Sequence, residues 1–375
     1  MEFETAENIG GSGGQRGRFA AAYRVLEEAI EARAFPGCAF GVLAGGETVL
    51  LDALGRFTYE AGASAVTAQT VYDVASLTKV VATTAVAMKL VERGALDLDT
   101  PLGELLPGFI VGRDAAQRAR SVTVKNLLAH NSGLPGYVEL FRKHSSPGAL
   151  LRACLALPLE AAPGARAEYS DPGFILLGKA LEAVTHQPLE VPARGEVFDP
   201  LGMSATGFRP PAAARPSIPP TEEDGTFRHR RIQGEVQDEN AFVLGGAAGH
   251  AGLFSNAPDL LRFAGAILNA GPEAGSGGRG SLFEAATVEQ FARRQGPAGS
   301  SRALGWDTPS EKSSAGRQFS HRSIGHLGYS GCSLWIDLDA GVAAVLLTNR
   351  TWPDRASQSI REVRPAFHDA VREAL

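Results

Sequence analysis

In the run Val71-Tyr72-Asp73-Val74-Ala75-Ser76-Leu77-Thr78-Lys79, a serine and a lysine stand three residues apart, just before the apolar stretch Val80 to Leu90. An alcohol and an amine at that spacing share one face of a helix. Ser76 would sit at the helix start, where backbone N–H groups have no intrahelical acceptor. A helix apolar nearly all round is expected to be buried. A lysine facing a sheltered cleft loses hydration, which lowers its pKa and lets the neutral amine take a proton. The chemistry expected of the pair is attack by Ser76 on a carbonyl with Lys79 as base. Taken alone, the same spacing also fits an N-cap serine followed by a surface lysine.

Two further stretches carry groups that would complete such a site. Pro163-Gly164-Ala165-Arg166-Ala167-Glu168-Tyr169-Ser170-Asp171 leads into the apolar helix around Phe174 to Gly178. Tyr169, on the entering loop, could shuttle a proton between Ser76 and a leaving group. Asp171 is expected to meet the substrate, with Gly328, Leu327 and Tyr329, or to cap the helix, or to do both. Ser323-Ile324-Gly325-His326-Leu327-Gly328-Tyr329-Ser330-Gly331 offers a glycine-flanked edge that a substrate backbone can approach. There His326 could supply a hydrogen-bond donor or a positive charge, and the N–H of Tyr329 could join that of Ser76 as an oxyanion hole.

Other signals carry less. Gly10-Gly11-Ser12-Gly13-Gly14 formally matches a nucleophile elbow, but it lies in a glycine tract without the strand and helix that motif needs. Asp238, Glu239 and His250 follow no zinc-ligand spacing, and neither a metal nor another cofactor is expected. His250, within Gly245 to Gly252, either lines the cleft or bonds to backbone.

The elements that must position these groups can be read from hydrophobic period and turn residues. Phe19, Tyr23, Leu26 and Ile30 mark one face of a helix ended by Phe35-Pro36-Gly37. Residues 38–44 and 48–53 form a hairpin about Gly45-Gly46-Glu47. A second hairpin pairs 333–338 with 342–348 about Asp339-Ala340-Gly341, and a last helix runs from about 356 to 375. Helical pieces dominate the middle. Residues 209–240, rich in proline and charge, read as an extended surface excursion, and residues 272–281 as a glycine-rich mobile loop. The expected class is α+β, an α/β sandwich: one antiparallel sheet built from both termini and flanked by helices, with a central, mostly helical lobe. Residues 1–15 are assigned to a flexible N-terminus. Residues 16–375 form one catalytic domain, with a sheet lobe over about 16–75 and 285–375 and a helical lobe over about 76–284. The site falls in the cleft between the lobes.

The three motifs, in this order, resemble the serine β-lactamase and penicillin-binding-protein superfamily, nearest its class C-like branch. Leu96-Asp97-Leu98-Asp99-Thr100-Pro101-Leu102, Val122 to Pro135, and Gly245 to Ser255 are similar to other stretches of that branch, over about residues 20–350. The resemblance implies a covalent acyl-enzyme on Ser76, Lys79 and Tyr169 as the acid/base pair, and His326 at the place of the branch's Lys-Thr-Gly lysine. Two positions depart from the β-lactamase pattern. Asp171 replaces an asparagine, and an ionised carboxylate cannot donate a hydrogen bond. His326 and Leu327 replace the lysine and threonine suited to a substrate carboxylate, leaving no hydroxyl and a charge conditional on pH. Little or no β-lactam turnover is therefore expected, and an ester or amide substrate is favoured. The branch includes esterases, D-amino-acid peptidases and muramyl-peptide amidases, so the bond type stays open. So does a role in binding muropeptides without turnover.

Composition narrows the partners. The formal net charge of -5 gives no basic excess for nucleic acid, and the basic run Arg228 to Arg231 reads as a solvated loop. No apolar run reaches membrane-spanning length, and the acidic start has no signal-peptide pattern. The expectation is a cytoplasmic protein acting on a small ester, amide or muropeptide-like molecule, with no membrane or nucleic-acid partner and no assigned oligomeric state. Cys38, Cys154 and Cys332 are odd in number and widely spaced, as buried thiols would be.

Overall fold

The computed structural model describes residues 12–111, 116–271 and 281–375. Its centre is a five-stranded antiparallel sheet in the order β2-β1-β10-β9-β8. The strands are β1 (Gly37–Ala44), β2 (Glu47–Gly55), β8 (Ile324–Leu327), β9 (Ser333–Asp337) and β10 (Val342–Thr348). Both expected hairpins form. The first turns at Gly45 and Gly46, which both take positive φ (60° and 82°), backbone that glycine adopts without steric cost. Strand β1 pairs with β10 from Cys38 opposite Thr348 to Ala44 opposite Val342, so the two ends of the chain close one sheet.

Side-chain alternation gives the sheet two apolar faces. Cys38, Phe40, Val42, Trp335, Ala344 and Leu346 pack outward against the helices Ala20–Glu31 and Ile360–Glu373. Ala39, Leu43, Leu334, Ile336, Val345 and Leu347 point the other way, into a core continuous with the central helices. Helix Ala257–Leu268 covers this inner face, and at Gly41 an added Cβ would lie 2.7 Å from Leu261. The middle of the chain also carries two small sheets. One holds β3 (Tyr72–Asp73), β7 (Leu253–Ser255) and β4 (Gly207–Phe208). The other is a hairpin of β5 (Pro220–Asp224) and β6 (Arg230–Gln233).

Several sequence expectations need correction. The 209–240 stretch is folded rather than extended, and Thr221, Glu222, Asp224, Ile232, Val236 and Gln237 are buried. Its polarity is satisfied internally. The Arg228 side chain is only 3 % exposed and bonds Asp224 together with the carbonyls of Val236 and Gln237. A buried, paired guanidinium is not a solvated loop. Arg230 and Arg231 do lie at the surface. The last helix starts at Ile360, not 356. Of the expected flexible N-terminus, residues 1–11 lie outside the described residues and Ser12–Arg18 is helical. The 272–281 loop lies outside them except for Ser281. All three cysteines are buried. Among the described residues no helix is long and apolar enough to cross a membrane.

Candidate active site

Ser76 lies in a single 3-10 turn, Ala75–Leu77, followed by a π-wound segment, Lys79–Thr84, and then the α-helix Ala85–Glu92. The expected plain α-helix is therefore wider in its first turns, a distortion that recurs at functional sites. Buried Asp73 braces the turn. One of its carboxylate oxygens accepts from the Ala75 N–H (2.8 Å) and the other from the Gln237 N–H (2.7 Å). Burial raises its pKa to about 6, against the pull of those two donors. Ala75 itself takes a positive φ of 48°, a costly conformation for alanine, which the brace holds in place.

The Lys79 amine sits beneath Ser76, fully buried, with three acceptors around it. They are Ser76 Oγ at 3.0 Å, Asp171 Oδ1 at 2.7 Å and the His250 carbonyl at 3.0 Å. Three acceptors match the three N–H bonds of an ammonium. Burial pulls the Lys79 pKa down, but the Asp171 carboxylate and then Tyr169 more than offset it, so the pKa lies above the ordinary lysine value. The sequence expectation was the reverse, a neutral amine. Burial was anticipated, but the carboxylate that answers it comes from a residue 92 positions away. Asp171 is correspondingly not the helix cap. Ser170 caps helix Asp171–Thr185 by accepting from the Gly173 N–H, which leaves Asp171 free to face Lys79. The His250 carbonyl reaches Lys79 because Gly249 packs against the same helix, where an added Cβ would meet the Phe174 carbonyl at 2.1 Å. The His250 ring neither lines the cleft nor bonds backbone. Its Nε2 lies 2.8 Å from Asp238 Oδ1.

Tyr169 stands on the loop before that helix, with the Lys79 amine 4.8 Å from its ring centre. Burial raises its pKa, while Lys79 and a hydrogen bond from Ser76 pull it back. One neighbour escaped the sequence analysis. His130, in the quoted stretch Val122 to Pro135, accepts the Ser170 N–H at Nδ1 (2.9 Å), and its ring packs 4.6 Å from that of Tyr169. It fixes the corner on which the phenol is mounted. Its positive φ of 54° was the feature a sequence could not display.

On β8, His326 pairs with Leu334, so its ring faces the inner side of the sheet. That ring centre is 5.7 Å from Tyr169. Nδ1 lies 2.8 Å from the Leu327 carbonyl, and a carbonyl only accepts, so Nδ1 carries the proton and Nε2 keeps a lone pair. Nε2 is buried without a partner. Burial, then Lys79 and Arg302, push the His326 pKa well below its usual value. The residue is thus a neutral acceptor, not the donor or cation expected.

The strand continues to Gly328, where a Cβ would lie 2.4 Å from the Val74 carbonyl. Only glycine lets this edge lie against the Ser76 turn. Ser330 Oγ locks the contact by donating to the Asp73 carbonyl (2.7 Å). The N–H groups of Ser76 and Tyr329 have no acceptor among the described residues. Ser76, Tyr169, Asp171, His326, Leu327, Gly328 and Tyr329 all line one cleft of about 600 Å³. So do Tyr137, Asp307, Arg302 and Gln237, which carry no sequence signal, and Asp238 and Glu239, weighed above only as metal ligands. Asp238 pairs with His250, and Glu239 with Arg355. Among the described residues no group of three or more candidate ligands is placed to hold a metal.

Comparison with known proteins follows the same lines. The Beta-lactamase family model matches residues 23–365. A curated relative from Salmonella typhimurium, named "Putative D-alanyl-D-alanine carboxypeptidase", is 32% identical over 308 residues, 76% of this chain and 70% of the relative. Among solved structures, "EstCE1, a hydrolase with promiscuous acyltransferase activity" superposes with a TM-score of 0.74 at 20% identity, covering 94% of this chain and 100% of its own. A penicillin-binding-protein homologue from Caulobacter crescentus gives 0.72 at 20% identity, covering 96% and 98%.

Proposed function

The chain belongs to the beta-lactamase family of serine hydrolases, and we propose that it cleaves an ester or amide bond through a covalent acyl-enzyme on Ser76. The observation that carries this is the 3.0 Å contact between Ser76 Oγ and the buried Lys79 amine at the floor of an open cleft. In the resting site the proton lies on Lys79, held there by Asp171. The active form arises when the coupled Lys79–Tyr169 pair gives up one proton. Ser76 Oγ then attacks the substrate carbonyl carbon, and its proton passes to that pair. The carbonyl oxygen gathers negative charge against the N–H groups of Ser76 and Tyr329. The bond to the leaving group breaks as the pair returns the proton to it. Water attacks the acyl-enzyme by the same steps and frees Ser76.

Turnover of β-lactams is expected to be slight, because neutral His326 and apolar Leu327 offer no charge or hydroxyl to a ring carboxylate at that position. A second reading is a peptidase of peptidoglycan-like fragments, favoured by the name of the 32% identical relative. A fluorophosphonate should label Ser76 and no other serine, as mapped by mass spectrometry. Absence of labelling there removes the acyl-enzyme. A panel of nitrocefin, short-chain esters, D-amino-acid amides and muramyl peptides then separates the two readings. Tight binding without turnover, unchanged in Ser76→Ala, would point instead to a muropeptide sensor.

A further inference from the structure

Four basic side chains face the phenol of Tyr169, and two of them carry charge. They are Lys79 from the π-wound segment, His130 from the stretch after helix Val124–Leu128, His326 from β8, and Arg302 from the stretch that leads to β8. One acid, Asp171, joins them from the phenol's own segment. Both histidines are buried, and burial pushes each well below its usual pKa, so both are neutral. The position from which a positive charge was expected, His326, brings none. Lys79 is matched by Asp171 at 2.7 Å. Arg302 is the cation left without a close match.

The Arg302 guanidinium carbon stands 5.1 Å from the centre of the Tyr169 ring, and the residue lines the cleft. Its backbone is fixed on both sides. The Arg302 carbonyl accepts from the Gln295 N–H (2.8 Å), and its N–H donates to Ser300 Oγ (3.1 Å). It also bridges to Asp307, which bridges in turn to Gly325 beside His326. The side chain itself makes no hydrogen bond to any described residue. Asp307 Oδ1 is 3.9 Å away and already accepts from Ser301 Oγ (2.6 Å) and the Thr308 N–H (3.1 Å). A guanidinium keeps its charge throughout the range in which enzymes work. Over a tyrosine ring it is attracted to the π-face, and more strongly once that ring bears a phenolate. The field of Arg302 is felt on both flanks of the phenol. After burial, it is the next influence that keeps His130 neutral, and it adds to Lys79 at His326. Lys79 hydrogen-bonds the phenol and so weighs more on Tyr169 than Arg302, which acts from the ring.

We propose that Arg302 is a positioning residue for the proton of the Lys79–Tyr169 pair: its charge favours the state in which the pair has released one proton and can accept another from Ser76. The proposal rests on the hydrolase reading above and deepens it. The released proton passes to solvent, and its electron pair stays with the Lys79–Tyr169 pair. Asp171 and Arg302 thus act in opposition. The carboxylate holds the proton in the resting site, and the guanidinium drives it off. Without the guanidinium, release needs a higher pH.

The test is the pH profile of kcat/KM for p-nitrophenyl butyrate, an ester with no charge of its own to meet Arg302. In Arg302→Gln, and in Arg302→Met, which keeps the apolar stem, the alkaline climb should move up by about half a pH unit or more. That is the shift a unit charge about 5 Å away gives even in water-like surroundings. Arg302→Lys, which keeps the charge, should return most of the shift. A climb that stays in place in the uncharged variants, or that moves as far in Arg302→Lys, would overturn the proposal. So would a loss of rate that is equal at every pH, which marks a packing contact, or a change confined to acid pH, which assigns the charge to His326. The rate of fluorophosphonate labelling at Ser76 should show the same displaced climb without any ester. Carbon-13 NMR of Cζ-labelled tyrosine in Ser76→Ala protein, with the Tyr169 signal assigned through Tyr169→Phe, needs no nucleophile. Tyr169 should titrate at lower pH with Arg302 than with glutamine in its place. Equal midpoints, or no titration below about pH 11 with Arg302 present, reject the proposal. Absence of label on Ser76 with this difference intact would sink only the hydrolase reading.

Discussion

Among the described residues, two serine hydroxyls lie within hydrogen-bonding reach of a lysine or histidine side chain. Ser76 Oγ is 3.0 Å from the Lys79 amine, and Ser333 Oγ is 3.1 Å from His368 Nε2. The second pair looks the better base on local geometry. His368 Nδ1 is turned to the Ser314 carbonyl at 2.8 Å, so it carries the proton and Nε2 can accept from Ser333. Lys79, by contrast, holds its own proton against the Asp171 carboxylate. Yet Ser333 and His368 are both 0% exposed, sealed between the outer face of the sheet and helix Ile360–Glu373 among Phe319 and Phe367. No carbonyl can reach Ser333. A serine beside a base is therefore not by itself a nucleophile. What sets Ser76 apart is its cleft, its neighbouring unpartnered N–H groups, and a proton store that can be charged and discharged.

The sharpest way to break this contrast is to remove each hydroxyl in turn. Ser76→Ala should lower kcat on p-nitrophenyl esters by about three to six orders of magnitude. Ser333→Ala should leave kcat/KM within about twofold. Comparable losses at both positions would erase the distinction. Next in size is Tyr169→Phe, expected to cost about 10²- to 10⁴-fold in kcat with little change in KM.

The stored proton gives a subtler prediction. Because the Lys79 and Tyr169 pKa values both lie above their usual values, kcat/KM should climb with rising pH through the neutral and alkaline range. Asp171→Asn removes the carboxylate that holds the proton on Lys79, so the climb should move to lower pH. A profile unmoved by this substitution would deny Asp171 its role. The smallest effect belongs to the sealed pair. Burial lowers the His368 pKa from 6.5 to about 4. The unfolded chain thus binds the proton more tightly, and folding stability is present in full above about pH 6.5 and lost as pH falls through 4, by roughly 3 kcal/mol at most. Denaturant titrations of His368→Gln should show less of this acid loss, with activity at neutral pH retained.

Much of the fold was readable because it is locally encoded. The two hairpins carry their turns in Gly45-Gly46 and Asp339-Ala340-Gly341, and the first long helix shows its apolar face in Phe19, Tyr23 and Leu26. The three motifs marked Ser76, Lys79, Tyr169 and His326, and all four line or floor one cleft. What stayed hidden depends on partners distant in sequence. The charge of Lys79 is set by Asp171, the tautomer of His326 by the carbonyl it faces, and the burial of Arg228 by acids on the same folded hairpin. Composition marked residues 209–240 as polar and hence exposed. It could not show that the polar groups spend their hydrogen bonds on one another. Asp171 can both cap a helix and face a site, and only geometry shows that Ser170 holds the cap while Asp171 meets Lys79.

Asp73 has a consequence for how this enzyme could be reshaped. Its side chain and its carbonyl together tether three segments: the turn before Ser76, the start of the segment that supplies Asp238 and Glu239, and, through Ser330, the loop bearing Tyr329. The two sides of the reaction centre, and the wall that carries Asp238 and Glu239, are thus hung from a common anchor. Directed evolution aimed at Tyr137 can redraw selectivity without retuning the chemistry, whereas drift at Asp73 would slacken both sides at once.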